Sequence, residues 1–186
     1  MISPSSLRVS ELVRRADVTV LAPPRAPYLW VIAILLAAAL GAVGWALVSG
    51  LGAMTFPHWV ALLFGALVAL MLLMPRSWQA WRLAELGWDA QQLYLLDGGR
   101  DMALALPRSA LQQVHLERQV GHQGEWLGFA LDLQLSEAML AQGLALLRLA
   151  PEQAYQVAPD VYRFAFHRAW QRPRRLRSIL APLRGA

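Results

Sequence analysis

Cysteine and lysine are both missing from the 186 residues. Without cysteine there is no disulfide, no thiolate nucleophile and no Cys-ligated zinc or iron–sulfur site. Without lysine there is no Schiff-base amine and no phosphate-loop lysine. All seventeen Lys/Arg-type cations are arginine, for which genomic base composition is the simpler cause. The other conspicuous absence is local: from Ala26 to Pro75 there is no Asp, Glu, Lys or Arg. A proton relay or ion site inside a membrane needs such a group, so this stretch is not by itself a transporter or channel.

What fills the stretch is two apolar runs, about Tyr28 to Val48 and about His58 to Met74, joined by SGLGAMTFP. At about 1.5 Å per residue, roughly 20 residues cross a hydrocarbon core about 30 Å thick. The first run is ample and the second just sufficient, and both are expected to be helices, because an open strand leaves backbone groups unpaired in lipid. Arg8, Arg14, Arg15 and Arg25 precede the pair and Arg76 and Arg82 follow it, while the connecting loop is uncharged. The positive-inside rule then places both termini in the cytoplasm of a bacterial inner membrane. Tyr28, Trp30, Trp59, Trp78 and Trp81 fall at the expected headgroup levels, and His58 beside Pro57 is expected at the loop edge.

Ala33, Ala37 and Gly41 recur every fourth residue in the first run, as do Ala61, Gly65 and Ala69 in the second. Small residues on one face let backbones approach, so these two stripes are the expected packing faces, either for each other, for self-association or for a partner's helix.

Residues 1–25 do not read as a signal peptide, because Glu11 and Asp17 precede the hydrophobic run. Ser5 or Ser6 could cap a short amphipathic helix lying on the leaflet or on a partner, with a frayed arm as the alternative. Residues 26–83 are expected to form the hairpin, its second helix extending past Pro75 through RSWQAWRLAELGW. Residues 84–171 then change period. QLYLL, MALAL and GFALDLQL alternate apolar residues as strands do, and DGGRD between the first two has tight-hairpin chemistry. PRSALQQVHLERQ reads as a turn and a strand, and GHQG as a further turn. Between Ser136 and Tyr155 a helix and a buried strand both fit, and the reading adopted is a loop followed by a strand. Pro159 and DVYRFAFHRAWQR predict a C-terminal helix that Pro173 stops or kinks.

The fold class is therefore a membrane protein with a two-helix transmembrane hairpin and a small α+β cytoplasmic domain, an antiparallel sheet with a C-terminal helix. Through GWDAQQLYLLDGGRDMALALPRSALQQVHLERQ and YRFAFHRAW this region resembles bacterial two-helix membrane proteins that carry a pleckstrin-homology-like cytoplasmic domain. Arg108 departs from that pattern, which often has an aromatic there. The resemblance implies a binding or scaffolding module and carries no residue-level site.

The polar residues supply no catalytic signature. His122 and Glu125 stand three apart without the pattern of a helical zinc site, and Asp89, Asp97 and Asp101 lack calcium-loop spacing. Gly98 and Gly99 join two strands, with no lysine or helix to make a phosphate loop. No cofactor or metal is expected. The strongest polar feature is the tail, 172–186: from Arg163 onward there are seven arginines and no acid. Leu176, Ile179, Leu180 and Leu183 share one helical face, with Arg174, Arg175 and Arg177 elsewhere. Arg172, Arg174, Arg175, Arg177 and Arg184 are thus the expected contacts for a membrane surface or, second, an acidic partner, whereas nucleic acid is not the expected target of so short a cluster.

These features lead to a non-enzymatic inner-membrane accessory or scaffold subunit whose partners are membrane lipids and other membrane subunits or a second copy. The alternatives are a membrane-anchored sensor or regulator that binds a ligand or lipid headgroups, or a component of an enzyme or transporter whose active residues lie on another chain. A topology reporter fused after Ala186 is expected to read as cytoplasmic, and a periplasmic signal would sink the assigned orientation.

Overall fold

The computed structural model describes residues 7–48, 50–121, 124–149, 155–166 and 173–184. In chain order the elements are α1 (Val9–Leu12), β1 (Thr19–Leu21), α2 (Arg25–Val48), α3 (Phe56–Leu73), β2 (Leu86–Trp88), β3 (Gln92–Asp97), β4 (Met102–Pro107), β5 (Leu111–Gly121), β6 (Gly124–Gln134), α4 (Glu137–Leu147), β7 (Tyr155–Ala158), β8 (Val161–Phe166) and α5 (Pro173–Arg184). They divide into one unit, Pro24–Ala80, and a second made of Met1–Pro23 with Trp81–Ala186.

The first unit is a helical hairpin, and α2 and α3 are each long and apolar enough to cross a membrane. Gly50, at φ 75°, supplies the left-handed backbone just after α2. Thr55 then caps α3: its side chain accepts from the His58 amide, while His58 Nδ1 faces the Thr55 amide and hydroxyl at 3.3 and 2.7 Å. The expected extension of α3 past Pro75 does not occur. Met74 is already extended (ψ 133°), as residues before proline tend to be, and two short 3-10 turns, Pro75–Trp78 and Ala80–Leu83, follow. Side chains from the first of these turns satisfy the carbonyls that the helix end leaves open: Ser77 Oγ donates to Met71 O at 2.6 Å and Trp78 Nε1 to Leu72 O at 2.7 Å. Tyr28 OH, from the other helix, donates to Ser77 O at 2.6 Å and closes the open end of the hairpin.

The second unit has two four-stranded antiparallel sheets, ordered β1-β2-β3-β4 and β5-β6-β8-β7. Their facing sides form one core, with Leu86, Trp88, Leu93, Leu95 and Leu106 from the first and Leu131, Leu133, Phe164 and Phe166 from the second. The cross-strand pair Phe129 and Phe166 stacks with ring centroids 4.8 Å apart. The other face of the first sheet is covered too: Tyr94 and Leu96, alternating with Leu93 and Leu95, pack with Val9, Leu12 and Ala84.

Two further expectations are corrected. DVYRFAFHRAWQR is not a helix over its described part, because Val161–Phe166 is β8: Phe164 and Phe166 point into the core at a period of two, and Asp160 turns the chain at φ 58°. Positions 167–172 lie outside the described residues, and the terminal helix begins at Pro173, whose fixed φ suits the first helical position. Ser136 to Leu147 is not a loop leading to a strand; Glu137–Leu147 is helical, with Leu146 buried in the main core and Met139, Leu140, Leu144 and Leu147 packed against it. A strand does follow, at Tyr155–Ala158.

The boundaries also differ from 84–171. Thr19–Leu21 pairs with Leu86–Trp88, α1 has Val9 and Leu12 fully buried, and Leu176, Leu180 and Leu183 of α5 belong to the main core. Both flanks are therefore parts of the domain. Ser10 reinforces the N-terminal docking, its amide and hydroxyl donating to the two Asp101 carboxylate oxygens at 2.7 and 2.8 Å. The β3–β4 turn fits closely as well, since a Cβ on Gly98 would sit 2.6 Å from the Trp81 and Arg82 carbonyl oxygens.

Leu12→Ala is accordingly expected to destabilise the detergent-solubilised chain by about 3 kcal/mol, as for other cavity-forming core truncations. Arg14→Ala, on the exposed side of the same segment, should change stability by less than about 0.5 kcal/mol in the same chemical denaturation.

Candidate functional site

In the hairpin the seam between the helices runs through Ile32, Ala39 and Ala46 of α2 and Gly65 and Ala69 of α3, which are buried. A Cβ on Gly65 would lie 2.9 Å from Ala39 O and 3.1 Å from a Val43 methyl, so glycine sets the close crossing. The sequence stripes fare unequally. Gly65 and Ala69 lie in the seam and Ala61 is half-buried, whereas on α2 Ala33 is half-buried and Ala37 and Gly41 are exposed. Ala37 and Gly41 each stand two residues from Ala39, about 200° around the helix, so they occupy its far side. Both sides of α2 carry small residues, and spacing alone does not choose between them.

Away from the seam the hairpin is apolar. Trp30, Ile34, Leu40 and Leu47 on α2, and Leu63, Phe64, Leu67 and Leu70 on α3, are all exposed within the unit. His58 stacks on Trp45 with centroids 4.4 Å apart.

In the sheet domain the tail forms α5. Its spacing places Leu176, Leu180 and Leu183 on one side, which is at most 2 % exposed, with Ile179 packed beside them. Exposing a large apolar side chain costs about 2 kcal/mol, so this face is committed to the core. Arg108 holds the far end of the helix, donating to Pro182 O and, at 2.8 Å, to Asp89 O, where a cation also suits the helix dipole. Arg174, Arg175 and Arg177 are exposed, and none forms an ion pair with a described residue. Arg172 lies outside the described residues, and Arg184 is placed by its backbone only, as the last residue of α5.

A cleft of about 460 Å³ opens between Arg82–Glu85, the β3–β4 turn, the end of α4 and the end of β8. Leu96, Leu146, Leu149 and Phe166 give it an apolar floor, and Arg82, Glu85, Asp97 and Arg148 a charged rim. Much of that charge is engaged: Arg82 donates to Gly99 O at 2.7 Å, and Arg100 joins the Asp97 carboxylate to Leu146 O, which it reaches at 2.6 Å. Burial pushes Asp97 upward, but the Arg100 hydrogen bonds outweigh it and hold the carboxyl below its ordinary range.

Among the described residues the most buried carboxylate is Asp132, on the face of the second sheet turned away from the core. Arg163, its cross-strand partner, grips it with Nε and Nη2 at 2.7 and 2.9 Å, and His115 Nε2 lies 2.8 Å from the same group. The Arg163 hydrogen bonds lower the carboxyl despite burial, and His115 adds to them. This cluster escaped the sequence reading because Arg163 was assigned to a helix; Asp132 within the alternating FALDLQL was the available signal. Among the described residues no group of three or more His, Asp or Glu could hold a metal ion. His122 and His167 lie outside them. Asp89 and Asp97 serve turns and Asp101 holds α1: Asp89 accepts from the Gln91 and Gln92 amides at 2.7 Å and from Tyr94 OH at 2.6 Å.

Comparison with known proteins finds no matching family model, no similar curated protein and no similar solved structure.

Burial and then the Asp89 hydrogen bond push the Tyr94 phenol from 10.0 up to about 12. Its contribution to stability is complete below its unfolded value and is lost as pH rises through the folded one. Alkaline titration is thus expected to show destabilisation between pH 10 and about 12 that Tyr94→Phe reduces, read by tyrosinate absorbance together with thermal melting.

Proposed function

We propose that this chain is a non-enzymatic accessory or scaffold subunit of a bacterial inner-membrane assembly. The hairpin spans the bilayer with both termini cytoplasmic, and the sheet domain, pleckstrin-homology-like in having two antiparallel sheets and a terminal helix, engages partners. The observation that carries the reading is the outer surface of the hairpin, where Trp30, Ile34, Leu63, Phe64 and Leu67 are each roughly half or more exposed. A continuous apolar surface of this kind is not tolerated in water and is satisfied by lipid or by other membrane helices.

A second reading, a membrane-anchored sensor that binds a small ligand, is favoured by the cleft between Arg82 and Arg148, whose volume of about 460 Å³ falls in the range of ligand pockets.

Alkaline carbonate extraction of membranes is expected to leave the chain in the pellet, and release into the supernatant would overturn the anchor. Purified in mild detergent, the chain should carry a partner in fixed ratio; a lone monomer would remove the accessory-subunit reading.

A further inference from the structure

We infer that the exposed face of α5, formed by Arg174, Arg175 and Arg177, docks on anionic lipid headgroups by charge alone, without inserting into the bilayer. The inference rests on the hairpin being a membrane anchor.

Three observations support it. The three guanidinium groups project from less than two turns of one helix, and no described carboxylate pairs with them. Arg15, Arg82, Arg100, Arg108, Arg148 and Arg163 all touch a carboxylate or a backbone carbonyl, whereas Arg8, Arg14, Arg25 and Arg76 are exposed without an ion pair to a described residue, as the α5 trio is; what distinguishes the trio is its clustering on one face of one helix. The apolar face of the same helix is buried in the domain, with Leu176 and Leu180 fully inaccessible. An amphipathic helix that inserts in a bilayer needs that face free, so only the cationic face remains for contact. Finally, only Ala22, Pro23 and Pro24 separate β1 from α2, so the domain is tethered by a short connection to the proposed anchor. Short tethering raises the effective concentration of the membrane surface and makes weak headgroup contacts sufficient. Each arginine near an anionic leaflet contributes about a fivefold factor in occupancy, and three together roughly a hundredfold.

The absence of cysteine gives a clean test on the full chain. Ser178→Cys, on the exposed face of α5, is labelled with a fluorophore and the protein is reconstituted into nanodiscs of phosphatidylcholine alone or with phosphatidylglycerol. Quenching by acrylamide is expected to fall several-fold with phosphatidylglycerol and to recover in high salt. Replacing the three arginines with glutamine should abolish the protection without changing the melting temperature, whereas replacing them with lysine should preserve it.

Equal quenching in the two lipids, protection that salt does not reverse, or loss of protection in the lysine variant would each overturn the inference while leaving the anchor intact. Protection produced by an added oligonucleotide or an acidic protein fragment in phosphatidylcholine discs, and not by phosphatidylglycerol, would reassign the face and overturn it equally. Failure of the chain to enter either kind of disc would overturn the anchor reading, and this inference with it.

Discussion

The three-residue ladder between β1 and β2 is the constraint on which the rest of this chain depends. It pairs Thr19 with Trp88, Val20 with Gly87 and Leu21 with Leu86. Two strands adjacent in one sheet are thus separated in sequence by the whole helical hairpin. An insertion between paired strands must return to where it left, and an antiparallel helix pair meets that condition, since its first and last residues lie at the same end. The Tyr28 hydrogen bond to Ser77 O closes that end. The two units are therefore interdependent through the chain: the sheet is incomplete without a segment that precedes the hairpin.

The same economy governs the arginines. In a chain with no lysine, the long planar guanidinium serves repeatedly as a staple onto backbone carbonyls: Arg82 onto Gly99, Arg100 onto Ala145 and Leu146 at the end of α4, and Arg108 onto Asp89 and Pro182 near the end of α5. Helix C-termini leave carbonyls without partners and carry partial negative charge, so a cation there serves twice. Arg174, Arg175 and Arg177 sit near the opposite end of α5, where the helix dipole does not favour them.

Two regions were read differently from sequence and structure for related reasons. SEAMLAQGLALLRLA contains residues good in helices and an apolar run good in buried strands; packing decided for the helix, since the helical spacing puts Leu146 in the core with Met139, Leu140, Leu144 and Leu147 against it. YRFAFHRAW has a helical spacing and an alternating one superposed, and over its described part, up to Phe166, pairing with β6 selected the alternation. On α2 the small residues lie on both sides: Ala37 and Gly41 are as small as Ala39, but Gly65 opposes only the side that carries Ala39.

Sequence alone determined the two long apolar helices, because a charge-free run of that length has few other stable conformations, and the β3–β4 hairpin, because alternation is local, although the positive φ of its turn falls on Asp101 and not on Gly98 or Gly99. It also determined which α5 residues would lie on the apolar face, since helical spacing is enough for that. Only the tertiary structure decided what that face would meet. Leu176, Leu180 and Leu183 satisfy the rule for a membrane-surface helix and the rule for a core helix equally well. The choice depended on a core shared by two sheets, a feature that exists only once strands far apart in sequence have paired.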